Sequence, residues 1–254
     1  LELEVVPAAK SIEIPLPCAD PDVPDAHLTV CWVQRRATAW APKGHLVAWD
    51  QVTLNPPEST PTPKFGAGLA PSATFAPNSG GVFGAGEGPV LQLFRAPVDN
   101  DGFKLLGGPG RWIDAGGDGL GHWIDADIDT RPADELAAHI HDMVELDDGS
   151  EVHTHVVEVP ETLDDVARVG VAFELRPGFD RLRWYGRGPL ENYPDRNRGA
   201  VLGVWESGVD EPPYLVPQEF GLRTDCRWFE FIDSSGGAVV RLDVLDPVSL
   251  HISA

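Results

Sequence analysis

The apolar residues of this chain recur at every second position, in short runs cut by glycine and proline. Ile12, Ile14 and Leu16 share one face of Ser11–Leu16; Leu28, Val30 and Trp32 share one face of His27–Gln34. Val169, Val171, Phe173 and Leu175 do the same within Val166–Leu175. A period of two places alternate side chains on one side of a pleated strand. No segment sustains a 3.6-residue period between helix caps, so the expectation is an all-β chain with little helix.

Further strands are predicted over His45–Leu54, Pro89–Phe94, Arg181–Tyr185, Ala200–Ser207, Leu222–Ile232 and Gly237–Leu245. Leu136–Leu146 and Ser150–Val159 read as a hairpin about Asp147-Asp148-Gly149. Residues 55–64 carry four prolines with Ser and Thr, a composition suited to an extended linker. The predicted domains are therefore a partial β-sandwich over 1–55, a linker over 56–64 and a larger β domain over 65–254. Residues 65–88 are rich in Gly, Ala and Pro and carry little pattern. The opening Leu-Glu-Leu-Glu-Val-Val and the closing Val-Ser-Leu-His-Ile-Ser-Ala both alternate, without turn or capping chemistry. The expectation is a chain cut inside folded elements at both ends, its larger domain truncated at the C-terminus.

Composition narrows the partners. The 254 residues carry a net charge of −21, which repels nucleic acid and anionic membrane surfaces and leaves a neutral ligand such as a sugar unaffected. No apolar run reaches the roughly 18–20 residues that span a bilayer. Cys18, Cys31 and Cys226 lack metal-ligand spacing and read as reduced, buried thiols of a cytoplasmic protein. Cys18 and Cys31 can also face each other across a hairpin, which leaves an extracellular setting open. Most of the eight tryptophans read as core.

One stretch, Asp180–Arg198, concentrates polar chemistry. A strand around Leu182 and Trp184 is expected to break at Gly186, Gly188 and Pro189, with Glu191, Asn192, Tyr193, Asp195, Arg196 and Arg198 following. Such a run can form a connected hydrogen-bond network. The expected network has Arg187, Arg196 and Arg198 locking Glu191, Asn192 and Asp195, with Gly186 and Gly188 shaping the turn. Glycoside hydrolysis needs two carboxyl groups, one held protonated. Glu191 with Asp195, or Asp99 with Asp101, are the nearest pairs in sequence. Turn residues that bond nearby backbone are the commoner explanation, so no catalytic residue is assigned.

His139, His141, His153 and His155 form two His-x-His pairs on the predicted hairpin. A two-residue loop at Asp148-Gly149 pairs His141 with Val156 and separates the two pairs. A three-residue loop ending at Gly149 pairs His141 with His155 and unites all four. Polar outward positions are the commoner reading, and no metal site is assigned. Phosphate-binding loops, a His-Glu-x-x-His pair and a Gly-x-Ser-x-Gly elbow are missing from the sequence.

The run Trp184-Tyr-Gly-Arg-Gly-Pro-Leu-Glu-Asn-Tyr-Pro-Asp-Arg196 resembles the hallmark of the last domain of the large β-galactosidases of glycoside hydrolase family 2. Phe94–Gly102 and Tyr214–Trp228 resemble two further motifs of that domain. Ala37–Gln51 resembles the end of the immunoglobulin-like domain before it. The four occur in the family's order and span nearly the whole chain. Phe220 departs from the asparagine often found there in relatives.

The resemblance implies the last strands of an immunoglobulin-like β-sandwich, then an antiparallel β-supersandwich like that of galactose mutarotase. It implies retaining hydrolysis of terminal β-D-galactosides such as lactose, by glutamates of a preceding (β/α)8 barrel outside this chain. It implies no cofactor in this chain, and magnesium and sodium for the complete enzyme. The implied partners are the galactoside, the barrel and further copies of the enzyme, with no nucleic acid or membrane. An aromatic that the family's final domain lends to the sugar site aligns beyond Ala254. The polar loops read as interdomain or sugar-pocket elements: Arg95, Asp99, Asn100 and Asp101; Arg187, Glu191, Asn192, Tyr193, Asp195 and Arg196; Gln218, Glu219 and Arg223. Competing readings are a free-standing carbohydrate-binding or mutarotase-like module and a purely structural interface domain.

Overall fold

A computed structural model describes residues 8–13, 15, 23–56, 89–98, 101, 119–147, 151–163, 165–209, 219–235, 237 and 239–250. The chain divides into two compact units, Leu1–Pro61 and Thr62–Ala254. Every strand pairing among the described residues is antiparallel. The all-β expectation holds.

In the first unit β1 (Ala26–Val33) pairs with β2 (Leu46–Asn55), placing Leu28 opposite Val52 and Cys31 opposite Trp49. Gly44, at φ +86°, closes the connection in a backbone region that costs side-chain-bearing residues more. The ribbon leaves Trp32, Leu46, Trp49 and Val52 exposed, and Trp40 is also exposed. Trp32 and Trp49 depart from the core reading because, among the described residues, no layer covers the two-stranded ribbon. Cys31 is likewise exposed rather than buried. The predicted strand Ser11–Leu16 is not seen at Ser11–Glu13 or Pro15, where Ile12 is exposed; Ile14, Leu16 and Cys18 lie outside the described residues.

The second unit is built on a four-stranded sheet in the order β10 (Val239–Leu250), β9 (Arg223–Ile232), β7 (Arg181–Gly188), β8 (Val201–Gly208). Leu182 and Trp184 on β7 are fully buried, and Phe229 and Phe231 stand opposite them on β9. Phe173, Leu175 and Phe179 pack over this face. The other face is charged. Arg183 and Arg241 both reach Glu230, and their guanidinium groups lie 5.6 and 4.4 Å from the Trp228 ring. That is an ordinary half-buried antiparallel sheet, apolar on one side and polar on the other.

Gly186 and Gly188 play a different part from the one expected. β7 runs straight through Gly186 and ends at Gly188, before a cis Gly188–Pro189 bond. A Cβ on Gly188 would lie 2.5 Å from Trp205 Cδ1, and one on Gly203 would lie 3.0 Å from Trp205 Cζ2. A Cβ on Gly186 would lie 2.9 Å from the buried Cys226 Sγ. These glycines admit close packing in a regular strand. Trp205 fills the space and donates its indole N–H to the Gly186 carbonyl at 3.1 Å.

A second apolar cluster gathers Leu91 and Leu93 with Trp123, Ile128 and Ala137. It draws on β3 (Val90–Gln92), α1 (Gly119–Asp125) and α2 (Ala133–Leu136), and β3 pairs with β6 (Gly170–Ala172). Leu136, predicted to open a strand, instead ends α2. The predicted strand Val166–Leu175 shrinks to the three residues of β6, and Val169 is exposed. This segment serves two cores: Val166 and Ala167 pack on one cluster, Phe173 and Leu175 on the other. Its partner β3 offers only three residues, so regular pairing stops there. β4 (Ala138–Glu145) and β5 (Glu151–Glu158) form the predicted hairpin, with His141 opposite His155. That register puts all four histidines on one face. No helix among the described residues is long and apolar enough to cross a membrane.

Candidate functional site

The turn after β7 is pinned by Asn192. Its backbone N–H donates to the Leu222 carbonyl at 2.8 Å. Its side-chain amide donates to the carbonyls of Leu190 (3.0 Å) and Arg187 (3.3 Å). Its Oδ1 accepts from the Thr224 N–H at 3.1 Å and from the Thr224 hydroxyl at 2.5 Å. Asn192 is fully buried, and an apolar residue there would strand the four groups its side chain bonds.

Glu191 ties the same turn to the segment before β9. Its Oε2 accepts from the Gly221 N–H at 2.6 Å and its Oε1 from Arg196 Nη2 at 2.8 Å. Burial pushes this carboxyl up, but the bonds from Arg196 and Gly221 and the nearby Arg223 outweigh it and hold it below the usual range. Arg223 is buried, its guanidinium 4.6 Å from the Trp184 ring, and it donates to the Gly221 carbonyl (2.9 Å) and the Ser207 hydroxyl (3.2 Å). Burial lowers its pKa, while Cys226 and Glu191 work against that. Tyr193 has a buried hydroxyl with no hydrogen-bond partner in good geometry, although the Leu222 amide is near. Burial first, then the charges of Glu219 and Glu191, push its phenol up to about 12.

The third loop joins through Glu219, which is buried and paired with Arg168. The Glu219 N–H donates to the Pro97 carbonyl at 3.3 Å. Pro97 lies in the turn held by Arg95 and Asp101, which pair through both carboxylate oxygens at 2.7 and 3.1 Å. The Val98 N–H also donates to Asp101, at 2.7 Å. Three polar runs that are far apart in sequence therefore meet in one cluster.

The expected arginine network is corrected in detail. Arg196 does bind Glu191, but Arg187 bonds Asp225 and the Ala200 carbonyl instead. Asp195 and Arg198 are exposed. Asp99, Asn100 and Gln218 lie outside the described residues. Arg168, Gly221 and Thr224 were not foreseen. Arg168 sits in a stretch that reads as plain strand, and Gly221 and Thr224, though inside the Tyr214–Trp228 run, act through backbone N–H and hydroxyl groups that residue type does not single out.

This geometry sets what the cluster can do. A general acid for glycoside cleavage needs a carboxyl held protonated near neutrality. Glu191 is held ionised, Asp101 is clamped by Arg95, and Glu219 is paired with Arg168. Each carboxylate is committed to a cation, which suits rigid positioning of loops. Magnesium prefers oxygen ligands. Among the described residues the one group of three metal-ligating side chains within mutual reach is His141, His153 and His155, which does not fit that ion.

Residues 75–254 match the family model described as "Beta galactosidase small chain", and residues 1–55 that described as "Beta-galactosidase, domain 4". The chain is 32% identical over 271 aligned residues to a β-galactosidase of Arthrobacter sp. (strain B7), covering 88% of this chain and 26% of that protein. It is 28% identical over 249 residues to a β-galactosidase of Pectobacterium atrosepticum, covering 79% and 24%. A shorter match to a β-galactosidase of Priestia megaterium is 45% identical over 78 residues, 30% of this chain and 8% of that protein. The chain thus spans at most about a quarter of these relatives.

Proposed function

The chain belongs to the β-galactosidase small-chain family, and from that premise we propose that it works as a non-catalytic portion of a retaining β-galactosidase acting on terminal β-D-galactosides such as lactose. Its work is to brace the catalytic barrel and shape the sugar pocket of a cytoplasmic, homo-oligomeric enzyme. The acid/base and nucleophile glutamates belong to the barrel, and the sites for magnesium and sodium to parts of the enzyme outside this chain.

The observation that supports this reading is the convergence of the loops at Arg95–Asp101, Glu191–Arg196 and Glu219–Thr224, with each described carboxylate core to it bound to an arginine or backbone amide. A rigid rim of this kind can hold a neighbouring domain in register at little entropic cost. The test is to assay the pure chain with a chromogenic β-galactoside, alone and mixed with a separately made barrel portion. The expected result is no turnover alone and restored turnover on mixing, reduced by Glu191→Ala. Hydrolysis by the pure chain that Glu191→Gln abolishes would overturn it.

A further inference from the structure

Half of the chain's eight histidines lie on one face of the β4–β5 hairpin. His141 stands opposite His155 in register, and His139 and His153 are their same-face neighbours. The rings stack in a zigzag. His139 and His155 have centroids 5.3 Å apart, His155 and His141 4.3 Å, and His141 and His153 5.2 Å. All four are half-buried, while Asp142, Val144, Val152 and Val156 on the opposite face are exposed. The histidine face is therefore the more covered one, against the expectation of outward polar positions. Val157, opposite His139, packs into the Leu91–Trp123 cluster, which gives this end of the ribbon a firm backing.

We propose that His141, His153 and His155 form a binding site for a divalent first-row transition-metal ion of the zinc type, bridging β4 and β5. One ligand nitrogen from each of the three lies within 4.8 Å of the others. Zinc takes imidazole nitrogens at about 2.0–2.1 Å in a tetrahedron, which sets neighbouring nitrogens about 3.4 Å apart. His141 Nε2 and His153 Nδ1 are 3.0 Å apart, so they need to open by only about 0.4 Å to reach that spacing. His155, stacked on His141 at an interplanar angle of 6°, closes the triangle by turning out of that stack. Three imidazoles leave the fourth position for water.

The surroundings fit. Glu151 Oε2 lies 3.0 Å from His153 Nε2, so the carboxylate holds the proton on that nitrogen and turns the lone pair of Nδ1 toward His141. A carboxylate bonded to the far nitrogen of a ligating histidine is the usual outer support of such sites. His139 Nε2 lies 3.1 Å from His155 Nδ1 and steadies that ring from the other side. The hairpin strands also carry Asp142, Glu145 and Glu158, in a chain of net charge −21, which favours a cation. Neutral imidazole suits zinc, copper and nickel and is a poor partner for magnesium or calcium.

The experiment uses the chain without a histidine tag, stripped with chelator, and titrated with Zn2+ by calorimetry and thermal melting. Binding of one ion per chain and a raised melting temperature are expected, since a ligand that prefers the folded state stabilises it. Co2+ should give the visible absorption of a four-coordinate site, a readout that needs no variant. His153→Ala and His155→Ala should abolish saturable binding, Glu151→Gln should weaken it about 10–100-fold, and His45→Ala should leave it unchanged. Absence of heat, melting shift and cobalt spectrum would overturn the proposal. So would binding that survives the two alanine substitutions.

Discussion

Asn192→Ala is expected to be the most damaging single substitution in the loop cluster. The side chain accepts two bonds from Thr224 and donates two to the carbonyls of Leu190 and Arg187, with no exposed surface. A net 0.5–1.5 kcal/mol for each of the four bonds gives a loss of about 2–6 kcal/mol. Against the 5–15 kcal/mol typical of whole domains, that is a large share. Asn192→Asp separates hydrogen bonding from shape. One carboxylate oxygen can still accept from Thr224, but the other would face two carbonyls, so the folded state favours the protonated acid. Its folded pKa then lies above the unfolded value of about 3.9. The variant should be near wild type below about pH 4 and lose stability as pH rises through the folded pKa. The assay is urea unfolding at several pH values. A loss below about 1 kcal/mol for Asn192→Ala at unchanged m-value would refute the reasoning, as would an Asn192→Asp variant indifferent to pH.

Four further outcomes follow from the same geometry. Glu191→Ala orphans the buried Gly221 N–H and should cost about 1–3 kcal/mol, whereas Arg196→Ala, removing an exposed partner, should cost under about 1 kcal/mol; equal losses in chemical denaturation would contradict this. Because Glu191 is held below its usual pKa, its contribution is present above the unfolded value and fades as pH falls through the folded one, so Glu191→Gln should flatten the acid limb of stability against pH. Gly188→Ala drives a methyl into Trp205 and should cost about 1–3 kcal/mol by overpacking, visible as a lowered melting temperature and altered Trp near-UV dichroism; an unchanged melt would show that the indole moves freely. The Tyr193 phenol, raised to about 12, keeps its proton while the unfolded chain loses its own near pH 10; stability should drop by about 1–2 kcal/mol over that interval after allowing for its half-exposed position, and Tyr193→Phe should remove the drop.

The sequence alone determined the class of fold and most strand positions. Alternation survives in isolation because a strand facing one core must place apolar groups every second residue, as in Leu182 and Trp184. The family was legible because the motifs near Asp101, Glu191 and Glu219 keep their residue types and order in one dimension. Only the tertiary structure decided what those residues touch. Arg187 turned from Glu191 to Asp225, and Arg168, which carries no motif, became the partner of Glu219. Gly186 and Gly188, read as turn formers, proved to be strand residues beneath Trp205 and beside Cys226. The histidine face depended on a register that two loop lengths left open, and a slip of one residue would have moved every side chain to the other side. Local pattern records which face a residue prefers. Partner choice depends on contacts between segments distant in sequence, and these exist only once the chain has closed on itself.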